Sequence, residues 1–230
     1  SRYSRTAYVG ESGKTSFCGG IPIEGWRLVE DAEKTRFPNQ DAEIWCAPLP
    51  QYNGTTLYFE QLFVKDRRAV RSRFPNKGFL RPESVWEEFK QDPATRKDSR
   101  KSTPQRLCAK TGDLDSLELD SLTSDELKFA HFIVHHHWDT TRRIILGYDS
   151  EKNSLEAQGA PMKSWNPWRD SSLYYLENLR TAFDEPGEWF YDGVNGKVYY
   201  RPLSGESIEA TTFYVPTPGL NQLLIVAGGN

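Results

Sequence analysis

Leu62-Phe63-Val64-Lys65-Asp66-Arg67-Arg68-Ala69-Val70-Arg71-Ser72-Arg73-Phe74-Pro75-Asn76-Lys77-Gly78 is the stretch on which the fold turns. Two β-favouring runs, Leu57 to Val64 and Ala69 to Phe74, flank Lys65-Asp66-Arg67-Arg68, a pattern that predicts a hairpin. Pro75-Asn76-Lys77-Gly78 then predicts a turn, since proline presets φ and glycine supplies a positive φ. Outward from it the same grammar recurs. Glu43-Ile44-Trp45-Cys46-Ala47 predicts a strand stopped by Pro48 and Pro50. Phe129 to Trp138 predicts another, with Ala130, Phe132, Val134, His136 and Trp138 on one face and Phe129, His131, Ile133, His135 and His137 on the other. Arg143 to Tyr148 reads as its neighbour. Glu188 to Tyr191 and Lys197 to Arg201 predict a second hairpin, turning through Asp192-Gly193-Val194-Asn195-Gly196. Thr212 to Val215 and Leu223 to Val226 are short strands.

Helical signals are few. Ser124-Asp125-Glu126-Leu127 predicts one turn. Leu173 to Phe183 predicts the one real helix, because Leu176, Leu179 and Phe183 follow i, i+3, i+7 before Asp184-Glu185-Pro186-Gly187. From Gln91 to Gln105 apolar residues almost vanish, which predicts an exposed, mobile loop. No βαβ alternation occurs, and no solenoid-like period of about 20 to 50 residues repeats. The fold class expected is mainly β and sandwich-like.

Composition narrows the function. The 230 residues suffice for one large domain or two small ones, and 37% hydrophobic against 27% charged is a folded profile. Aromatics at 13%, with seven Trp, suit pleated strands and also suit stacking on sugar rings; core building is their commoner use. A net charge of −3 leaves no basic excess for a phosphate backbone, so nucleic acid is not an expected partner. No apolar run approaches a membrane span. Arg67, Arg68, Arg71 and Arg73 are expected as the cationic face of one hairpin, with an acidic sugar as the alternative use. Cys18, Cys46 and Cys108 fit no zinc spacing, and a single Cys18–Cys46 bridge stays open. The opening Ser1-Arg2-Tyr3-Ser4-Arg5 shows no signal peptide.

Three segments carry a resemblance. The hairpin Leu62 to Phe79 resembles one found in bacterial right-handed parallel β-helix glycoside hydrolases of the pectate-lyase-like superfamily, in which a β-sandwich interrupts the helix. Tyr174-Tyr175-Leu176-Glu177-Asn178-Leu179, Phe183 to Asp192 and Gly196-Lys197-Val198-Tyr199-Tyr200-Arg201-Pro202 are similar to the return path from sandwich to helix. Cys18-Gly19-Gly20-Ile21-Pro22-Ile23-Glu24-Gly25-Trp26 is similar to the coil before the insertion. One departure is Lys65-Asp66, where family members often carry Asn-Gly. The resemblance implies an early β-helix coil over 1–28, an inserted sandwich-like domain over 29–170 and a returning helix plus hairpin over 171–230. It implies a fragment of a secreted, periplasmic or cell-surface bacterial enzyme of polysaccharide degradation, with plant or algal carbohydrate and the rest of the parent enzyme as partners. The acidic catalytic residues of that superfamily lie on β-helix coils, so the chain is expected to carry no catalytic residue and no cofactor.

The candidate binding residues are Trp165, Trp168, Arg169, Glu177, Asn178, His137 and Trp138. In Trp165-Asn166-Pro167-Trp168-Arg169, two indoles beside polar groups offer platforms with handles; the bland alternative is that both plug the core beneath a loop. Glu177-Asn178 draws interest by position, because the return path of the family lies near the substrate groove. Glu177, Asp184, Glu185 and Glu188 are carboxylates at one junction, and a glycosidase needs a pair. His135-His136-His137-Trp138-Asp139 places His135 and His137 on one strand face, a spacing that can chelate a metal. More often such a strand simply leaves its imidazoles half exposed. Two rivals to the inserted domain are a stand-alone carbohydrate-binding module and a metal-dependent hydrolase built on His135 and His137.

Overall fold

In a computed structural model, residues 9–12, 18–88 and 102–223 are described. Their strands make two nested lobes, each a pair of sheets around its own core. The outer lobe holds a five-stranded sheet in the order Arg27–Leu28, Trp45–Pro48, Lys197–Tyr200, Glu188–Asp192, Val70–Arg71. Against it lies a four-stranded sheet, Gly20–Pro22, Phe213–Pro216, Phe63–Val64, Arg67–Arg68. Trp45, Trp189, Tyr191, Tyr200, Phe213 and Val215 fill the space between them. The second face of the five-stranded sheet is covered too, with Phe37 and Phe183 closing on Ile44, Phe190 and Tyr199. All five residues of Glu188–Asp192 are therefore buried. This explains why Trp189-Phe190-Tyr191 is a continuous aromatic run, since both faces of a covered strand meet apolar neighbours.

The inner lobe pairs Ser84–Glu87, Thr103–Cys108, Ser154–Gly159 and Gly147–Asp149 with a second sheet, Thr140–Ile144, His131–His135, Leu173–Glu177 and Arg73–Phe74. Leu107 and Leu155 from one sheet meet Phe132, Val134, Tyr174 and Leu176 from the other. Short helical turns supply Leu114, Leu117, Leu119 and Leu127 at one end of this core. The turn Ser124–Leu127 starts on a capping box between Thr123 and Glu126, as its sequence predicts.

Both predicted hairpins form, with tighter registers. Trp189–Asp192 pairs with Lys197–Tyr200 as expected. In the first, the turn is Lys65-Asp66 alone, and Arg67 and Arg68 already pair with Val64 and Phe63. Lys65 takes a φ of 53°, the left-handed region in which a side chain crowds its own carbonyl. After Ala69 the run divides: Val70–Arg71 joins the outer lobe and Arg73–Phe74 the inner one. The four arginines therefore form no common face. Arg71 is buried, Arg67 bonds the Tyr200 hydroxyl at 2.8 Å, and Arg73 lies 4.2 Å from the Tyr175 ring centroid.

The helix predicted over Leu173 to Phe183 is instead the strand Leu173–Glu177 followed by a single 3-10 turn, Arg180–Ala182. Tyr174 and Leu176 alternate into the inner core at period two, and that burial outweighs the coincidental helical spacing. Leu179 and Phe183, which completed that spacing, enter different cores. Asn178 ends the strand with a φ of 58°. Thr103 to Gln105, expected within the exposed loop, belong to a strand, with Thr103 and Gln105 fully buried. Gln91 to Lys101, the rest of that loop, and Leu224 to Val226 of the last expected strand lie outside the described residues. The histidine strand is shorter than predicted, and the neighbour expected over Arg143 to Tyr148 is two pieces in different sheets, Thr140–Ile144 and Gly147–Asp149. Cys18, Cys46 and Cys108 are all free thiols, so no Cys18–Cys46 bridge forms.

Among the described strands one pairing is parallel, Glu188 and Trp189 beside Val70 and Arg71. The rest are antiparallel, and no stack of β-helix coils occurs among them. The five-stranded sheet also joins strands from both sides of residues 28 and 170, the expected boundaries.

Candidate functional site

The site begins where the histidine strand ends. His131–His135 runs antiparallel to Thr140–Ile144 on one side and to Leu173–Glu177 on the other. Between His135 and Thr140 the chain turns through His136, His137, Trp138 and Asp139, closed by the His136 N–H donating to the Asp139 carbonyl at 2.8 Å. The aromatic loop before Leu173 folds against this turn through Asn166. Its carboxamide donates to Asp139 Oδ1 at 2.6 Å and accepts from the His137 N–H at 3.2 Å. Lys163 adds an ion pair to Asp139 at 2.6 Å, which with the Asn166 bond holds that carboxyl below the usual aspartate range. Arg81 donates to the Ser171 carbonyl and ties in the chain beyond the first hairpin.

These contacts frame an open cavity of about 470 Å³. Its walls include His135, His136, His137, Trp138, Trp165 and Arg169, with Arg81 beside Ser171 and Ser172. Trp138 and Trp165 are 74% and 65% exposed, too open to be core residues. Lys163 Nζ lies 5.0 Å from the Trp165 ring centroid and steadies its orientation. The two indoles make the cavity wall apolar beside its polar groups.

Of the seven predicted residues, the structure gathers four: His137, Trp138, Trp165 and Arg169. Trp168 points the other way, 5% exposed and stacked on Phe132 at 6.1 Å in the inner core. The Trp165 to Trp168 segment thus splits its two uses between its two indoles. Asn178 is buried; its carboxamide donates to the Phe129 and Tyr191 carbonyls at 3.1 and 3.0 Å and accepts from the Tyr191 N–H at 2.8 Å. It fastens the inner lobe to the outer one and has no free polar atom for a sugar. Glu177 is bound at 2.9 Å by Arg142, which also reaches Glu60 at 3.5 Å. Asn166 and Arg81 were missed in the sequence, where an isolated Asn or Arg in a loop carries no periodic signal.

Glu177 belongs to a second polar cluster, between the lobes, with Arg71, His131 and Glu60. Burial, reinforced by the Arg71 and Arg142 charges, pushes the His131 imidazole down to about 3. Burial alone would raise Glu60, but the Tyr58 hydroxyl and the Arg142 and Arg71 charges outweigh it and hold the carboxyl low. Glu188 sits apart, buried, accepting N–H bonds from Arg73, Asp184 and Glu185 at 3.1 to 3.2 Å. Burial drives its carboxyl up to about 8 despite those donors. With its oxygens committed to the backbone, Glu188 serves the fold.

His135 and His137 gather no third metal-ligating side chain among the described residues. His135 Nδ1 meets the Thr140 hydroxyl at 3.2 Å, and its ring stacks on Tyr175. Among the described residues no three His, Cys, Asp or Glu side chains gather closely enough to hold an ion.

The described residues form a mainly-β domain of two lobes with an aromatic cavity on the inner one. A solved structure titled "Glycoside hydrolase" shares that fold, with a TM-score of 0.57 and 24% identity over 86% of this chain. This chain spans 31% of that one. Residues 42–203 match the family model of the GH141 insertion domain, and the chain belongs to that family. No curated protein sequence matches it.

Proposed function

We propose that this domain is a non-catalytic part of a secreted bacterial enzyme of polysaccharide degradation and contacts the saccharide through Trp138 and Trp165. The observation that carries this is the pairing of two solvent-exposed indoles at one cavity, in a chain of the GH141 insertion domain family. Indole faces pack on the C–H groups of pyranoses, and His137, Arg169 and Ser172 stand beside them as hydrogen-bonding groups. In the parent enzyme the domain would form one wall of the substrate groove, with β-helix coils on either side of it. Plant or algal polysaccharide is the substrate class that fits. Titration of the chain with xylo- and galacto-oligosaccharides, followed by tryptophan fluorescence, tests the proposal. Saturable quenching or a blue shift, lost in Trp165→Ala, is expected; an unchanged spectrum with every sugar would refute it.

A further inference from the structure

The same cavity has a charge pattern that stacking alone does not use. Arg81 and Arg169 both line it, and among the described residues no aspartate or glutamate does. Asp139, the acid of the adjoining turn, is already compensated by Lys163 and Asn166. Arg81 commits one donor to the Ser171 carbonyl, which fixes the guanidinium and leaves further N–H groups of its five. Among the described residues the guanidinium of Arg169 has no hydrogen-bond or ion-pair partner; its backbone N–H donates to Ser172 Oγ and its carbonyl accepts from the Ser172 N–H, both at 3.0 Å.

Two histidines of the same wall are each held on one ring nitrogen. The hydroxyls of Thr140 and Thr141 occupy Nδ1 of His135 and Nε2 of His136, at 3.2 and 2.8 Å. The opposite nitrogens, His135 Nε2 and His136 Nδ1, are buried without any hydrogen bond. Each imidazole is thus fixed in the wall by one threonine hydroxyl, with its other nitrogen uncommitted.

A neutral sugar is satisfied by any mixture of donors and acceptors. Two guanidinium groups lining one cavity offer planar donor forks that match an oxyanion. Resting on the carbohydrate reading above, we propose that the cavity takes an acidic saccharide unit. Its carboxylate or sulfate ester is bound by Arg81 and Arg169, and its ring lies on Trp138 or Trp165. Both anions present the same chemistry to the arginines, and the experiment separates them.

The 230-residue chain is titrated calorimetrically with tetragalacturonate, a sulfated galactotetraose and neutral galactotetraose, at low and at physiological salt. One or both charged ligands are expected to bind at least tenfold more tightly than the neutral one, the better of them naming the anion. That preference should shrink as salt screens the contact. Arg169→Gln, at an exposed side chain with no partner in the fold, should reduce the preference severalfold and leave the melting temperature in place. Arg81→Gln provides a second, independent loss. Equal affinity for all three ligands overturns the acidic-sugar assignment and leaves the carbohydrate reading standing. No binding by any of them overturns both.

Discussion

Asn178→Ala removes a single carboxamide, and the structure allows its cost to be worked out. The Asn178 side chain bonds both the N–H and the C=O of Tyr191, beyond the point where the parallel partner Val70–Arg71 stops. It therefore completes the sheet edge as another residue of that partner strand would. Its third bond goes to the Phe129 carbonyl, which keeps a second donor in Arg71 at 3.2 Å. Truncation thus strands two backbone groups, each worth roughly 1–3 kcal/mol when buried without a partner. Alanine must also hold the φ of 58°, at about 1 kcal/mol. The expected loss is about 3–7 kcal/mol, a large share of the stability of an ordinary domain. Urea unfolding followed by circular dichroism gives the number. Asn178→Gly should recover about 1 kcal/mol by relieving the backbone alone. If Asn178→Ala unfolds within about 1 kcal/mol of the parent chain, the argument that this side chain fastens the lobes is wrong.

The two indoles of the aromatic loop should behave oppositely. Trp168→Ala should cost about 3–5 kcal/mol by emptying the core beside Phe132, whereas Trp165→Ala should shift stability by no more than about 0.5 kcal/mol and abolish the fluorescence response to sugar. His131 is held near 3 in the folded chain against an ordinary 6.5, so between those values the unfolded chain binds the proton that the folded one refuses. Its contribution therefore lowers stability as pH falls from about 6.5, by up to about 1.4 kcal/mol per pH unit, and unfolding curves of His131→Phe between pH 4 and 7 should show a shallower slope. Lys65→Asn, at the left-handed turn position, should raise the unfolding free energy by about 0.5 kcal/mol, since Asn tolerates that conformation better; a lowered free energy would contradict the turn assignment.

Local chemistry made the hairpins legible. Asp192 to Gly196 spells a turn whatever surrounds it, and Trp189-Phe190-Tyr191 spells a strand. Leu173 to Phe183 was misread because Leu176, Leu179 and Phe183 are all buried and happen to sit three and four residues apart, yet they serve two separate cores. Only the tertiary arrangement assigns Leu176 and Leu179 to one core and Phe183 to another. The aromatic loop was half legible for the same reason. Nothing within Trp165-Asn166-Pro167-Trp168 says which indole meets Phe132, a residue brought in by a strand more than thirty positions earlier. Glu177 and Asn178 attracted attention through their place in the chain; their partners Arg142, Phe129 and Tyr191 come from other elements, and those partners absorb them.

The crossing at Ser72 has a consequence for how such a molecule can vary. The Ser72 N–H bonds the Trp189 carbonyl at 2.7 Å and its own carbonyl accepts the Asn178 N–H at 2.8 Å. The chain thus leaves the outer lobe and re-enters it at adjacent points, and the described strands from Arg73 to Glu177 hang from that doorway. A guest whose entrance and exit coincide can be enlarged, trimmed or exchanged without asking its host to rebuild. The lining of the tryptophan cavity, which the guest carries, can then diverge while the host keeps its shape.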